Sequence, residues 1–172
     1  SAKQCKSKVC ASPSFPQKLI KISSVLAIIA GIIMVIGGIW GIVFTYKNVA
    51  SENITTTDDA SIPSVPVRGP LTLKAQADII RVHTLKITDG KTFSEMPRQI
   101  AKLDSVGNPV LDENGKSVMV PNTARDIWIT ATTLTTALNL GIVTYTFFGF
   151  ILFFGFILIW IGIVYCVLSK RD

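Results

Sequence analysis

The sequence is poor in the residues that do chemistry. Its 172 residues include one histidine, His83, and three cysteines, Cys5, Cys10 and Cys166. No Asp, Glu, Lys, Arg or His occurs from Ile22 to Tyr46 or from Ile127 to Ser169, and Phe93 is the sole aromatic between Lys47 and Asp126. Each shortage excludes something. One histidine cannot make a bis-histidine haem site, and there is no Cys-x-x-Cys-His for covalent haem. Cys5 and Cys10 have no His or further Cys nearby to complete a zinc set. With no cysteine between Lys47 and Asp126, no disulfide braces that segment, and the tail cysteines read as free thiols in a reducing compartment. Proton relays and ion pathways use ionisable groups inside the membrane, and neither uncharged run offers one.

The uncharged runs themselves, Ile22–Tyr46 and Ile127–Ser169, are the strongest positive signal. A hydrocarbon core of about 30 Å takes roughly 20 apolar helical residues, and each run is long enough to span it. The first is too long for the apolar region of a cleaved signal peptide, and Lys47 and Asn48 stand where small residues should be. It is expected to be an uncleaved anchor. The second is expected to form one long helix over residues 122–168, membrane-spanning from about residue 140. Its first turns, rich in threonine, should stand above the bilayer. Trp128, Ala131, Leu134, Leu138 and Gly141 recur at three- and four-residue steps and mark a stripe facing the segment between the runs. Six of the nine phenylalanines fall between Phe147 and Phe156 and read as lipid-facing bulk.

Charge sets the expected orientation. Residues 1–21 carry five lysines and no acid, residues 47–126 carry ten bases and ten acids, and the last three residues add Lys170, Arg171 and Asp172. The net +6 is therefore a property of the two tails. Basic flanks stay in the cytoplasm, so both termini are expected inside and the middle outside, in the cell membrane. The tail lysines favour anionic headgroups, and the charge reports topology rather than a nucleic-acid partner.

The fold class expected is a mainly α membrane protein with two transmembrane helices, 22–46 and the later part of 122–168. A small α+β extracytoplasmic domain over 47–121 lies between them, with cytoplasmic tails at 1–21 and 169–172. Gly31, Gly37, Gly38 and Gly41 put small residues on one side of the first span, including a Gly-x-x-x-Gly, and are the expected face for docking another helix. Between the spans, residues 51–70 look extended and proline-punctuated, and Ala75–Ile87 looks helical. Thr92 and Glu95 have capping-box spacing before Pro97, and Asn114-Gly115 is a hairpin signal. Val, Ile, Leu, Met and Phe are sparse from Lys47 to Asp126, so the domain is marginal alone and should lean on a helix, the bilayer or a partner.

His83 lies among Asp78, Arg81, Asp89, Lys91 and Glu95, which invites a catalytic reading. General acid–base work needs a second group to orient the imidazole and a nucleophile or metal to serve. The sequence supplies neither at a recognisable spacing, and His83 sits at an apolar helical position. It is read, with Trp128, Leu134 and Leu138, as a packing residue. No catalytic, metal or cofactor site is expected.

The stretch "ITTTDDASIPSVPVRGPLTLKAQADIIRVHTLKITDGKTFSEM" resembles an actinobacterial two-span membrane-protein family. Its members carry similar Asp-Asp-Ala, Val-x-Gly-Pro-x-Thr, Ala-Gln-Ala-Asp/Glu-Ile-Ile-x-x-His and Gly-Lys-Thr-Tyr/Phe-x-Glu motifs, and "TARDIWITATTLTTALNLGIV" is similar to the start of their second span. The resemblance covers roughly residues 54–145. Such proteins are often labelled aromatic ring-opening dioxygenase subunits, a chemistry that needs an iron site and is at odds with one histidine. Proteins of this layout resemble accessory subunits around the actinobacterial cytochrome bc–cytochrome oxidase respiratory supercomplex. The resemblance therefore implies a non-catalytic subunit whose partners are other membrane subunits. The alternative class is an extracytoplasmic lipid- or peptide-binding envelope protein. The insertion between Glu95 and Pro121 departs from the shorter relatives.

Overall fold

The computed structural model describes residues 15–170; Cys5, Cys10, Arg171 and the rest of both tail ends lie outside the described residues. The protein is mainly helical, with a long apolar helix toward each end and a small two-stranded sheet between them. Helix α1 is Phe15–Ser51, α2 is Pro70–Ile87 and α3 is Thr123–Leu168. A single 3-10 turn, Phe93–Glu95, and strands β1 (Gln99–Ala101) and β2 (Met119–Pro121) complete the order. At about 1.5 Å per residue, the 46 residues of α3 extend about 69 Å. Two helices, α1 and α3, are long and apolar enough to cross a membrane.

Sequence chemistry explains most of the boundaries. α1 begins at Phe15, inside the expected tail, because Pro16 falls in the first turn, where no intrahelical N–H is required. α2 begins at Pro70 rather than Ala75 for the same reason. Gly69 is its N-cap in extended conformation, and Thr72 Oγ1 accepts from the Arg68 and Gly69 N–H groups at 3.0 and 3.1 Å. The Thr92–Glu95 capping box closes as a pair of hydrogen bonds, with Glu95 Oε2 accepting from the Thr92 N–H at 2.6 Å and from its hydroxyl at 2.7 Å. Asn122 caps α3, its Oδ1 accepting from the Ala124 N–H at 3.1 Å while its Nδ2 donates to the Pro97 carbonyl at 2.9 Å.

The chain divides into two compact units, residues 15–42 with 147–170 and Val43–Thr146, and α1 and α3 contribute turns to both. In the first unit the two helices meet along a seam of small residues. A Cβ built on Gly31 would lie 2.7 Å from the Gly155 carbonyl oxygen, and one on Gly38 would lie 2.8 Å from Leu152 Cβ. One on Gly162 would lie 2.6 Å from Ile28, and one on Gly41 would run into the Phe148 ring. The buried Ser24 hydroxyl donates to the Gly162 carbonyl at 2.8 Å. Ser24, Gly31 and Gly38 recur at heptad spacing on α1, and so do Phe148, Gly155 and Gly162 on α3. A strict heptad repeat keeps one seam facing its partner, here at backbone contact distance.

The second unit has a small core, the cluster Val67, Leu73, Ala77 and Leu138, flanked by Val49, Ile54, Ile80, Ile142 and Tyr145. Its segment 52–69 is pinned by the Thr55–Pro66 bridge, by the Val67 N–H donating to the Ile54 carbonyl at 2.8 Å and by the Tyr145 hydroxyl donating to the Arg68 carbonyl at 2.7 Å.

Residues 98–122 form a three-armed hairpin. β1 pairs antiparallel with β2, Ile100 opposite Val120, as the stem. Two arms bud from it, closed by turns at 104–108 and 112–116. At the junction three residues exchange hydrogen bonds in a ring. The Lys102 N–H donates to Val118, Val118 to Val110 and Val110 to Lys102, all at 2.8 Å. The ring members are evenly spaced because the sequence repeats, "LDSVGNPV" at 103–110 and "LDENGKSV" at 111–118. In each copy the Asp side chain accepts from the N–H groups two and four positions on, at 2.8–2.9 Å. The glycine in each, Gly107 or Gly115, takes a positive φ of 92° or 76°, which is open to glycine at no steric cost.

Candidate functional site

His83 is not alone. Its Nε2–H donates to Asp59 Oδ2 at 2.6 Å, joining the middle of α2 to the segment 52–69. Asp59 also receives a hydrogen bond from Thr57. These two bonds, that from His83 first, hold its carboxyl below the usual range. Next to it Ser64 donates to Asp58. Both side chains of the His83–Asp59 pair are about half exposed, 41 % and 53 %. The arrangement can orient an imidazole, which is one requirement of acid–base chemistry. The Ser64 hydroxyl is bonded to Asp58 and not to the imidazole, and no group of three or more metal-ligating side chains occurs among the described residues. The pair is a clip between α2 and the segment before it.

The other expected packing residues fall in different settings. Leu138 is in the core at 5 % exposure. Trp128 is half-buried with the Arg81 guanidinium 5.5 Å above its ring. Leu134 is 41 % exposed and sits on the wall of a cleft. That cleft, of about 370 Å³, is lined by Asn48, Val49, Glu52, Ile54, Val67, Leu73, Leu134, Ala137 and Leu138. Its apolar side is continuous with the core cluster.

Of the expected docking glycines, Gly31, Gly38 and Gly41 are already covered, by α3 of the same chain. Gly37 has nothing within 4 Å of a would-be Cβ, so the Gly-x-x-x-Gly spacing contributes only its second member to the seam. The seam residues that the sequence reading missed, Ser24, Gly155 and Gly162, carried a signal at heptad spacing. The reading missed Asp59 as well, because a contact between positions so far apart along the chain leaves no local trace.

Residues 98–122 present a third candidate. Leu103, Leu111 and Met119 are 57 %, 59 % and 50 % exposed, and Val106 at the tip of the first arm is 83 % exposed. The bridges pair Leu103 with Pro109 and Leu111 with Ser117, and Ala101 pairs with Met119. Paired residues share a face, and so do residues two apart along a strand (101 and 103, 109 and 111, 117 and 119), so Leu103, Leu111 and Met119 fall on one side of the hairpin. At the base Arg125 stacks 3.8 Å over Phe93 and donates to the Met96 carbonyl at 2.6 Å. No family model, curated protein or solved structure matches the chain.

Proposed function

We propose that the protein is a two-span membrane protein that works by binding and not by catalysis, as an accessory subunit docked on a larger membrane complex. Membrane crossing is supported by the exposure of the two apolar helices. The most apolar stretch of each is only 11 % buried, whereas the core helix of a soluble protein would be mostly covered. With its glycine seam closed on itself, the helix pair meets lipid through Ile33, Ile36, Trp40, Phe150, Phe154 and Trp160, all more than half exposed.

The observation that carries the docking role is the three-armed hairpin. Stapled by a hydrogen-bonded ring, it holds Leu103, Val106, Leu111 and Met119 in the open. A chain with so few apolar residues to spare between its helices gains no stability from exposing them, and exposed apolar patches mark interaction sites. The partner class we propose is the respiratory cytochrome bc–cytochrome oxidase supercomplex, on the strength of the likeness of this two-span layout to its accessory subunits. Purification in mild detergent followed by subunit mass spectrometry tests it. Co-migration with haem proteins is expected, and its loss in the double variant Leu103→Ser/Leu111→Ser; a chain that runs alone, or co-migration unchanged in the variant, would refute it.

A second reading, an envelope protein that holds a lipid or peptide on the outer side, is favoured by the apolar cleft between residues 48–54 and 134–138. In that case the purified chain carries a bound amphiphile and no subunit.

A further inference from the structure

We infer that this cleft is a binding site for one acyl chain of a membrane phospholipid whose headgroup bears a primary ammonium. The inference rests on the two-span reading. At about 370 Å³ the cleft is near the small end of ligand sites, which run from about 300 to 1,000 Å³, so it admits a single chain and not a whole lipid. Its walls are sorted by polarity. Val49, Ile54, Val67, Leu73, Leu134, Ala137 and Leu138 are apolar or small, and only Asn48, in the last turn of α1, and Glu52, in the turn just after it, are polar.

The polar end is built of acceptors. The Asn48 Nδ2 is committed to the Phe44 carbonyl at 2.8 Å, so what this side chain has left to offer a ligand is its acceptor, Oδ1. The Glu52 carboxylate has no ion-pair partner among the described residues, and no cation lines the cleft. An anionic head without an amine would meet a carboxylate and an amide oxygen and gain nothing from either. An ammonium satisfies both, as donor and as counter-charge. Position supports the same occupant. The lining residues follow directly on the apolar run of α1, which ends at Tyr46. On α3 they precede residue 140, from which the sequence is almost wholly apolar. In a two-span protein those turns emerge where headgroups meet acyl chains. A free fatty acid would bring the wrong charge, and a soluble amine would leave the apolar walls unfilled.

Native mass spectrometry of the detergent-purified full chain tests this, with phosphatidylethanolamine and phosphatidylglycerol of matched chains added in parallel. The wild type should retain phosphatidylethanolamine at least tenfold better. Glu52→Gln should erase that preference while keeping some uptake of both lipids. Ala137→Trp, an exposed wall position, should fill the cleft and lose both adducts, and Leu134→Trp gives the same test should that variant fail to fold. Equal adducts on the wild type, a preference unchanged in Glu52→Gln, adducts surviving in both Trp variants, or a peptide in place of lipid would each overturn it. Carbonate extraction keeps the two levels apart: a chain released from membranes refutes the two-span reading, whereas an embedded chain without the preference refutes only the lipid site.

Discussion

His83 shows how far single residues could be read. The expectation that it is a packing residue came from its place in an apolar helical pattern; α2 carries it half-buried, outside the core cluster and bonded to Asp59. What the sequence could not supply was Asp59. If the pair is a clip, its loss should free the segment 52–69 and little else. Because the Asp59 carboxyl is held below 3.8, chiefly by the hydrogen bond from His83, the stability it contributes is present above the unfolded value and is lost as pH falls through the folded one. Amide exchange at Thr56 and Val67 should therefore stay slow from neutral pH down to about 4 and rise below it, and Asp59→Asn should remove that acid step. His83→Gln should leave membrane assembly and oxygen consumption within about twofold, whereas loss of a general base or metal ligand costs about a hundredfold or more. An intact assembly with activity down more than tenfold would restore the catalytic reading.

At the scale of elements, long periodic segments were legible and their pairing was not. Both apolar helices follow from composition, and so does the capped turn at Thr92. The glycines of α1 were legible as a docking face, but the sequence holds no address for a docking partner. The Gly-x-x-x-Gly of Gly37 and Gly41 drew attention to a step of four, when the seam runs at seven. The three-armed hairpin was half visible. Asn114-Gly115 signalled one turn, and the octad repeat that makes the second arm equivalent went unread. Since the seam sits at backbone contact distance, a side chain on it forces the helices apart. Gly31→Leu and Gly155→Leu should each break the pairing of α1 with α3 while both still insert, because neither changes helix hydropathy unfavourably. Cysteines placed at Gln17 and Ser169, the next heptad positions after Ser24 and Gly162 and neither of them a seam glycine, in a background lacking the native ones, should crosslink readily in the parent and poorly in either Leu variant. Equal crosslinking would show that the seam tolerates bulk and is not the contact that holds the pair. In the hairpin, Asp104→Ala and Asp112→Ala should speed exchange of the amides each one caps, at 106 and 108 or at 114 and 116, and leave the other arm alone.

The whole molecule is short of apolar core and long on apolar surface. Its one cluster of buried hydrophobic side chains among the described residues has four members, so truncating the 1 %-exposed Leu73 to Ala, at about 2–5 kcal/mol, should remove a large part of the stability of the unit Val43–Thr146. On the proposed two-span reading the bilayer is the solvent of the exposed apolar helices, and the charge distribution then predicts what lies on each side of it. The unbalanced basic charge lies outside the apolar runs, five lysines before Ile22 and Lys170 with Arg171 at the other end, while the segment from Lys47 to Asp126 is neutral overall. Moving those lysines across would oppose the bias that orients short flanks, whereas exporting a neutral segment does not. Single cysteines at Ser1 and Ser61, in a chain with Cys5, Cys10 and Cys166 replaced, separate the alternatives. An impermeant thiol reagent on intact cells should label the Ser61 site and spare the Ser1 site until the cells are opened. Labelling of Ser1 with Ser61 protected would invert the topology, and with it would place the hairpin and the cleft on the cytoplasmic side; labelling of both sites would mean that the first helix does not cross.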